Sequence, residues 1–337
     1  MVAPGVLIWS EVSSRELIEL VELSDALGYS EFWYTDIRFQ HDCYVGLTLA
    51  AQHSKRLLLG PGVSDPYSRH PAVIAMAIAT LDDLTGGRMQ LGLGTGGSGL
   101  AEMGVTKSRP LLALREAIEL IRAMLSGDGV EYKGDLYQLS GTGLGFKPVR
   151  ASVPIFVATH SPQTLALSGR LADGVLLANL NRKEAVAHAA GLVRGAEAAS
   201  GRPPGSVAIH LRLETCISDD EDRAIDVLRQ RFATRLMRSY PNWDYLNDLE
   251  VQSTQPLREA AEARDVNRVA AQLTNADVRA TALVGSVPSV VEQLRAVLVP
   301  EIQTVTIRPL AFKGQALAET VERFIREVWP AVASQVV

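Results

Sequence analysis

The stretch RLLLGPGVSDPYSRHPAVIAMAIATLDDL, residues 56–84, carries the fold. Arg56 to Val63 is an apolar run of strand length, and a turn-rich segment with Pro66 follows it. From Pro71 to Leu84 apolar residues recur at helical spacing behind a proline in the first turn. The unit is therefore strand, loop, helix. Its loop gathers an acid, a phenol, a guanidinium and an imidazole in Asp65, Tyr67, Arg69 and His70.

The same unit recurs on both sides. Upstream, Val6–Trp9 precedes a capping pattern at Ser13–Glu16 and a helix ending before Gly28, and Glu31–Thr35 precedes a helix from Tyr44 to Gln52. Downstream, the strand–helix pairs are Arg88–Gly94 with Pro110–Leu125, Val153–Ala158 with Ser161–Leu171, and Gly174–Ala178 with Arg182–Ala198. Val207–Cys216 and Val305–Pro309 supply the last two strands. Eight strands alternating with helices predict an α/β chain, a (β/α)8 TIM barrel forming a single domain over residues 1–337. Two insertions are expected in it, a polar hairpin at about 127–150 and a helical segment at about 219–298. A doubly wound open sheet is the competitor, but the first turn, Ser10 to Ser13, lacks the glycines that fold uses.

Composition limits the partners. Of 337 residues 47% are apolar and 21% charged, enough for a large core. Lys plus Arg number 33 against 38 Asp plus Glu, a formal charge of −5, and no basic run is long enough to follow a phosphate backbone, so nucleic acid is not an expected partner. The N-terminal stretch has no basic n-region, and no apolar run reaches the roughly 20 residues of a membrane span, so a cytoplasmic protein without a membrane partner is expected. Cys43 and Cys216 stand far apart, offering neither a disulfide nor a Cys-pair metal site.

In a barrel of this kind the chemistry belongs to the loops after the strands' C-terminal ends. These contain Thr35 to Asp42, the Gly60–Pro71 loop, Gly92 to Gly99, and Ala158 to Ser161. The glycine-rich loop has no Walker spacing, yet its small residues would let backbone lie against a flat ring or a phosphate. No His-Glu-x-x-His, Gly-x-Ser-x-Gly or clustered ligand set appears, which leaves zinc hydrolysis and serine acyl transfer without support and no metal expected.

Five segments together resemble the bacterial-luciferase-like superfamily, most closely its branch that uses the deazaflavin coenzyme F420, typified by methylenetetrahydromethanopterin reductase. They are Gly28–Asp36 (GYSEFWYTD), Gly60–Ala72 (GPGVSDPYSRHPA), Ile78–Asp82 with Gly87 and Arg88, Leu91–Gly96 (LGLGTG), and Leu171–Gly174 (LADG). The resemblance implies a flavin or deazaflavin ring across the barrel mouth. Gly62, Val63 and Ser64 would lie behind it, with a cis peptide between Gly62 and Val63. Gly94, Thr95, Gly96, Gly97, Ser98, Ala158, Thr159 and His160 would surround the ring and its side chain, and Asp36 would stand near the reacting face as the catalytic residue. Arg182 and Lys183 are candidate partners for an anionic tail.

The chain departs from the family pattern at two places. Members that oxidise sugar phosphates or alcohols have His after the aspartate, where this chain has Ile37, and an acidic residue where it has Gly97. A sugar-phosphate dehydrogenase is thereby disfavoured. The proton donor stays open among Asp36, Glu11, His41, Tyr67 and His160. The implied function is F420-dependent hydride transfer to or from a small organic or pterin-type substrate. An FMN-dependent monooxygenase and a catalytically silent flavin-binding protein are the alternatives, and a homodimer or higher homo-oligomer is expected.

Overall fold

The structure is a computed structural model that describes residues 2–96, 99–127 and 129–333. Each repeat has a local cause. Strand β1 (Ala3–Ile8) leads to helix α1 (Ser14–Leu27), where the Ser13 hydroxyl accepts the Glu16 N–H and Gly28, at φ 85°, closes the helix in the left-handed region. Strand β2 (Glu31–Tyr34) leads to α2 (Cys43–Gln52), capped by the Asp42 carboxylate accepting the Tyr44 and Val45 N–H groups. Strand β3 (Leu58–Pro61) leads to α3 (Pro71–Thr85), and β4 (Leu91–Leu93) to α4 (Pro110–Ser126), both helices having proline in the first turn. An antiparallel hairpin of β5 (Val130–Lys133) and β6 (Gln138–Thr142) follows.

The alternation resumes with β7 (Ile155–Ala158), α5 (Pro162–Leu171), β8 (Gly174–Ala178), α6 (Lys183–Ala199) and β9 (Ala208–Ile217). Helices α7 (Glu221–Ser239), α8 (Tyr245–Asp248), α9 (Gln255–Glu262), α10 (Val266–Ala271) and α11 (Asn275–Arg279) come next. Strand β10 (Ala282–Gly285), α12 (Val287–Val297) and β11 (Ile302–Pro309) precede a closing helical segment that begins at Leu317.

One expectation is corrected here. The segment from Asp219 to Leu298 reads as largely helical, with a break at Ser239–Trp243, yet Ala282–Gly285 is a strand, parallel to β9 with Val284 opposite Cys216. Four apolar residues between two helices are too few to display a strand period. Burial of Ala282 and Val284 with Cys216 and with Ala224, Ile225 and Leu228 of α7 decides the matter, through contacts distant in sequence.

The chain divides into two compact units. The first comprises Gly5–Leu176 and Leu192–Ile209. In it β1, β2 and β3 pair in parallel, Leu7 opposite Trp33 and Trp33 opposite Gly60, and so do β4, β7 and β8, Leu91 opposite Ile155 and Phe156 opposite Gly174. The second is formed mainly by Leu177–Gly191 and the chain from His210 onward, and contains β10 on β9 and the helices α7 to α12.

Candidate active site

The described candidates for the ring site, from Asp36 to His160, fall in the first unit. Backbone pairing continues past the ends of β3 and β4: Gly62 N–H donates to Tyr34 O (2.8 Å), Ser64 N–H to Gly92 O (3.0 Å), and Gly94 N–H to Ser64 O (2.9 Å). The Gly62–Val63 peptide is cis, as the resemblance implied. Val63 packs closely on the glycines beside it; a Cβ on Gly94 would stand 2.8 Å from Val63 Cγ2.

Val63, just after β3, and Ala158, at the end of β7, are 95 residues apart in sequence, yet both pack on one apolar cluster of Leu7, Trp33, Phe156 and Leu176, with Trp9 alongside. Trp33 and Phe156 meet edge to face at 5.6 Å. Val63, Thr95, Gly96, Ala158, Thr159 and His160 remain partly accessible while the cluster is buried, so the strand ends present a small-residue surface on an apolar base. Gly97 and Ser98 lie outside the described residues.

The polar side centres on Asp36, whose side chain is 6% exposed. Its Oδ2 accepts the Ser64 hydroxyl at 2.8 Å, and Tyr44 Oη lies 2.9 Å from Ser64 Oγ. Arg38 Nη1 reaches Asp36 Oδ1 at 3.2 Å, and Arg69 Nε stands 3.4 Å from Oδ2. Arg38 also pairs with the buried Asp65, and Arg69 with Asp42, its guanidinium 4.7 Å from the centre of the Tyr44 ring. Burial works against the Arg69 charge, but Asp36 and Asp42 outweigh it and its pKa rises. Burial holds the Tyr44 phenol far above its ordinary value. Asp65 is fixed in turn by the Tyr67 and Ser68 N–H groups at 2.9 and 2.8 Å.

The remaining candidates are spread out. His41 Nδ1 lies 3.0 Å from Ser10 O, Tyr67 Oη donates to Ser108 O at 2.7 Å, and Glu11 is exposed. Arg182 belongs to the second unit and pairs with Glu250 at 2.5 Å, so its charge is already matched. Sequence reasoning missed two contributors. Tyr44 entered only as the start of the second helix, and Lys107, whose Nζ donates to Thr95 Oγ1 at 3.2 Å and Gly96 O at 3.4 Å, sits in a loop without a motif. Partial burial lowers the Lys107 pKa. Among the described residues no group of three or more His, Cys, Asp or Glu could hold a metal ion.

The family model for luciferase-like monooxygenases matches residues 4–300. The chain belongs to the luciferase-like family. Among curated relatives, it is 37% identical over 174 residues to a 5,10-methylenetetrahydromethanopterin reductase of Archaeoglobus fulgidus, spanning 51% of this chain but only 52% of that protein. To the reductase of the same name from Methanopyrus kandleri it is 26% identical over 320 residues, 90% of this chain and 91% of the relative. The solved coenzyme F420-dependent tetrahydromethanopterin reductase of Methanopyrus kandleri superposes with a TM-score of 0.87 at 24% identity, covering 98% of this chain and 99% of that one. That likeness establishes the fold, so this luciferase-like chain is a (β/α)8 barrel. Among its described residues no helix is long and apolar enough to cross a membrane.

Proposed function

We propose that this luciferase-like chain is a coenzyme F420-dependent oxidoreductase that moves a hydride to or from a small organic or pterin-type substrate. The observation that carries the reading is the shared apolar base under Val63 and Ala158 with the Asp36 carboxylate on its polar side. The names of the relatives at 37% and 26% identity support it.

The residues present fit a flat ring. Gly94 has no room for a Cβ beside Val63, and a side chain there would fill the surface that the ring needs. Val63 and Ala158 would support the ring from behind, and Gly94 to Ser98 with Ala158 to His160 would border it. A deazaflavin bound there supplies or accepts the hydride. The protein's part is to hold and shield: the apolar base excludes water, while Ser64, Arg38 and Arg69 fix the direction of the Asp36 carboxylate. Asp36 would then hydrogen-bond the substrate atom whose protonation accompanies hydride transfer. Lys107, next to Thr95 and Gly96, would face the cofactor's anionic side chain.

The test is titration of the purified protein with F420 and, separately, FMN, with acceptor reduction and O2 followed together. Saturable F420 binding and acceptor reduction without O2 consumption are expected. FMN-dependent O2 uptake coupled to product would overturn the reading in favour of a monooxygenase.

The expected dimer and cytoplasmic location belong to the same proposal. Val45 of α2 and Val73, Met76 and Leu84 of α3 are large apolar side chains left exposed, and the three on α3 share one helix face. A two-fold pairing through that face would cover them. Both cysteines are buried and unpaired, which accords with a reducing compartment.

A further inference from the structure

The second unit holds a cluster that hydride chemistry does not require. Glu214 on β9 is buried, and its two oxygens are shared by three guanidiniums. Arg231 Nε reaches Oε1 at 3.1 Å, Arg308 also pairs with Oε1, and Arg235 Nη1 reaches Oε2 at 3.3 Å. A fourth guanidinium, Arg212, lies two residues earlier on β9 and hence on the same face of the strand. Its side chain has no hydrogen bond or ion pair among the described residues, and its Nε is buried without an acceptor. Arg235 has buried Nε and Nη2 groups that also lack acceptors, and it lies over the Phe232 ring at 4.9 Å.

A structural ion pair needs one guanidinium, or two, for each carboxylate. Here Arg212 and Arg235 bring buried N–H donors that Glu214 does not satisfy, and buried donors in native proteins normally have partners. The electrostatics agree with the geometry. Burial brings the Arg212 pKa down to about 10; Glu214 works against that, and Arg235 and Arg231 add to it. Burial pushes Glu214 upward, yet the surrounding guanidiniums hold it at about 2. The place suits a ligand. Arg212 and Glu214 lie in the last six residues of β9, and Arg308 is the penultimate residue of β11, the strand ends where barrel enzymes build binding sites.

We propose that Arg212 and Arg235 form a binding site for an oxyanion, the carboxylate or phosphate of a small-molecule ligand. The unsatisfied donors of two planar forks match the oxygens of such a group, and a single added anion would satisfy them while easing the repulsion between them. This goes beyond the F420 reading and does not depend on it.

The experiment uses the full-length protein without cofactor, titrated calorimetrically with inorganic phosphate and, in a second arm, with succinate, at constant ionic strength made up with chloride. Saturable binding in at least one arm is expected, weakened tenfold or more in both Arg212→Met and Arg235→Lys. Binding in the phosphate arm alone assigns a phosphoryl ligand, and in the succinate arm alone a carboxylate. Because Arg212 has no hydrogen bond or close ion pair to lose, and three other guanidiniums stay with Glu214, Arg212→Met without anion should unfold at the wild-type temperature or above it. Absence of saturable binding in both arms would overturn the proposal, and so would binding unchanged in both variants. An Arg212→Met protein markedly less stable, or unable to fold, would also overturn it, by making Arg212 a structural cation.

Discussion

Ser64 Oγ donates to Asp36 Oδ2 at 2.8 Å while Tyr44 Oη stands 2.9 Å from the same serine oxygen. A hydroxyl has one proton, so giving it to Asp36 obliges Ser64 to accept from Tyr44. The chain of donors therefore runs from Tyr44 through Ser64 to Asp36. Ser64→Ala strands the buried Tyr44 hydroxyl and should cost about 1–3 kcal/mol, read from urea unfolding. Tyr44→Phe in the same background should return part of that loss, because it removes the stranded group.

Asp36→Asn keeps the shape of the side chain and, with its amide oxygen at the Oδ2 position, the Ser64 hydrogen bond, while removing the charge and the acceptor for Arg38. Turnover in the F420 assay should fall on the order of 100-fold, with F420 affinity kept. Unchanged turnover would take the reaction away from Asp36.

Gly94→Ala places a methyl group 2.8 Å from Val63 Cγ2. Relief requires a shift of Val63, so a stability loss of about 1–3 kcal/mol is expected. Ring binding should weaken more than global stability does, and parallel titration and thermal unfolding would separate the two.

Glu116 of α4 sets an acid limit on the hairpin. Its buried carboxylate accepts the N–H groups of Asp135, Leu136 and Tyr137 at 2.9, 2.9 and 3.1 Å. Burial alone would raise its pKa, but the three N–H groups outweigh that and lower it. A carboxylate with a lowered folded-state pKa stabilises the fold above its unfolded value of about 4.3, and that contribution disappears as pH falls through the lower folded value. Glu116→Gln should therefore be less stable than wild type at pH 7, and the gap should narrow as the pH is taken to 3. A gap independent of pH in urea unfolding would contradict this.

The α2–α3 face gives a prediction about assembly. Met76→Glu combined with Val45→Glu should convert a dimer to a monomer in light scattering, with the circular dichroism spectrum unchanged. A dimer that survives both charges would place the interface elsewhere.

How far the sequence could be read depended on the distance between cause and effect. The eight barrel strands each begin with their own apolar run and end at their own turn, so RLLLGPGV at 56–63 suffices for β3 and VPIFVA at 153–158 for β7. Strand β10 exists only because β9 and α7 receive it. The IATLD segment stood out in the family resemblance, but its role was not legible. Asp82 accepts the Met89 N–H at 3.0 Å and Arg150 Nε at 2.9 Å, while Arg88 donates to Leu57 O at 2.7 Å. Those residues tie down the approach to β4, with a partner 68 residues away that no local pattern announces. The Asp36 network escaped for the same reason, since Ser64 and Arg69 sit in another loop.

The grip of Glu116 on the hairpin is made to main-chain N–H groups, and nearly any residue at 135, 136 or 137 would offer the same donors. Tyr137 hands the attachment on, its hydroxyl donating to Pro66 O at 2.9 Å in the loop that holds Ser64 and Asp65. The insertion can thus drift in sequence over generations without loosening, provided two positions persist: a carboxylate on α4 and a phenol just before the hairpin's second strand. Between relatives, the hairpin should look like the least related part of the barrel while remaining mechanically coupled to the loop that carries Ser64 and Asp65.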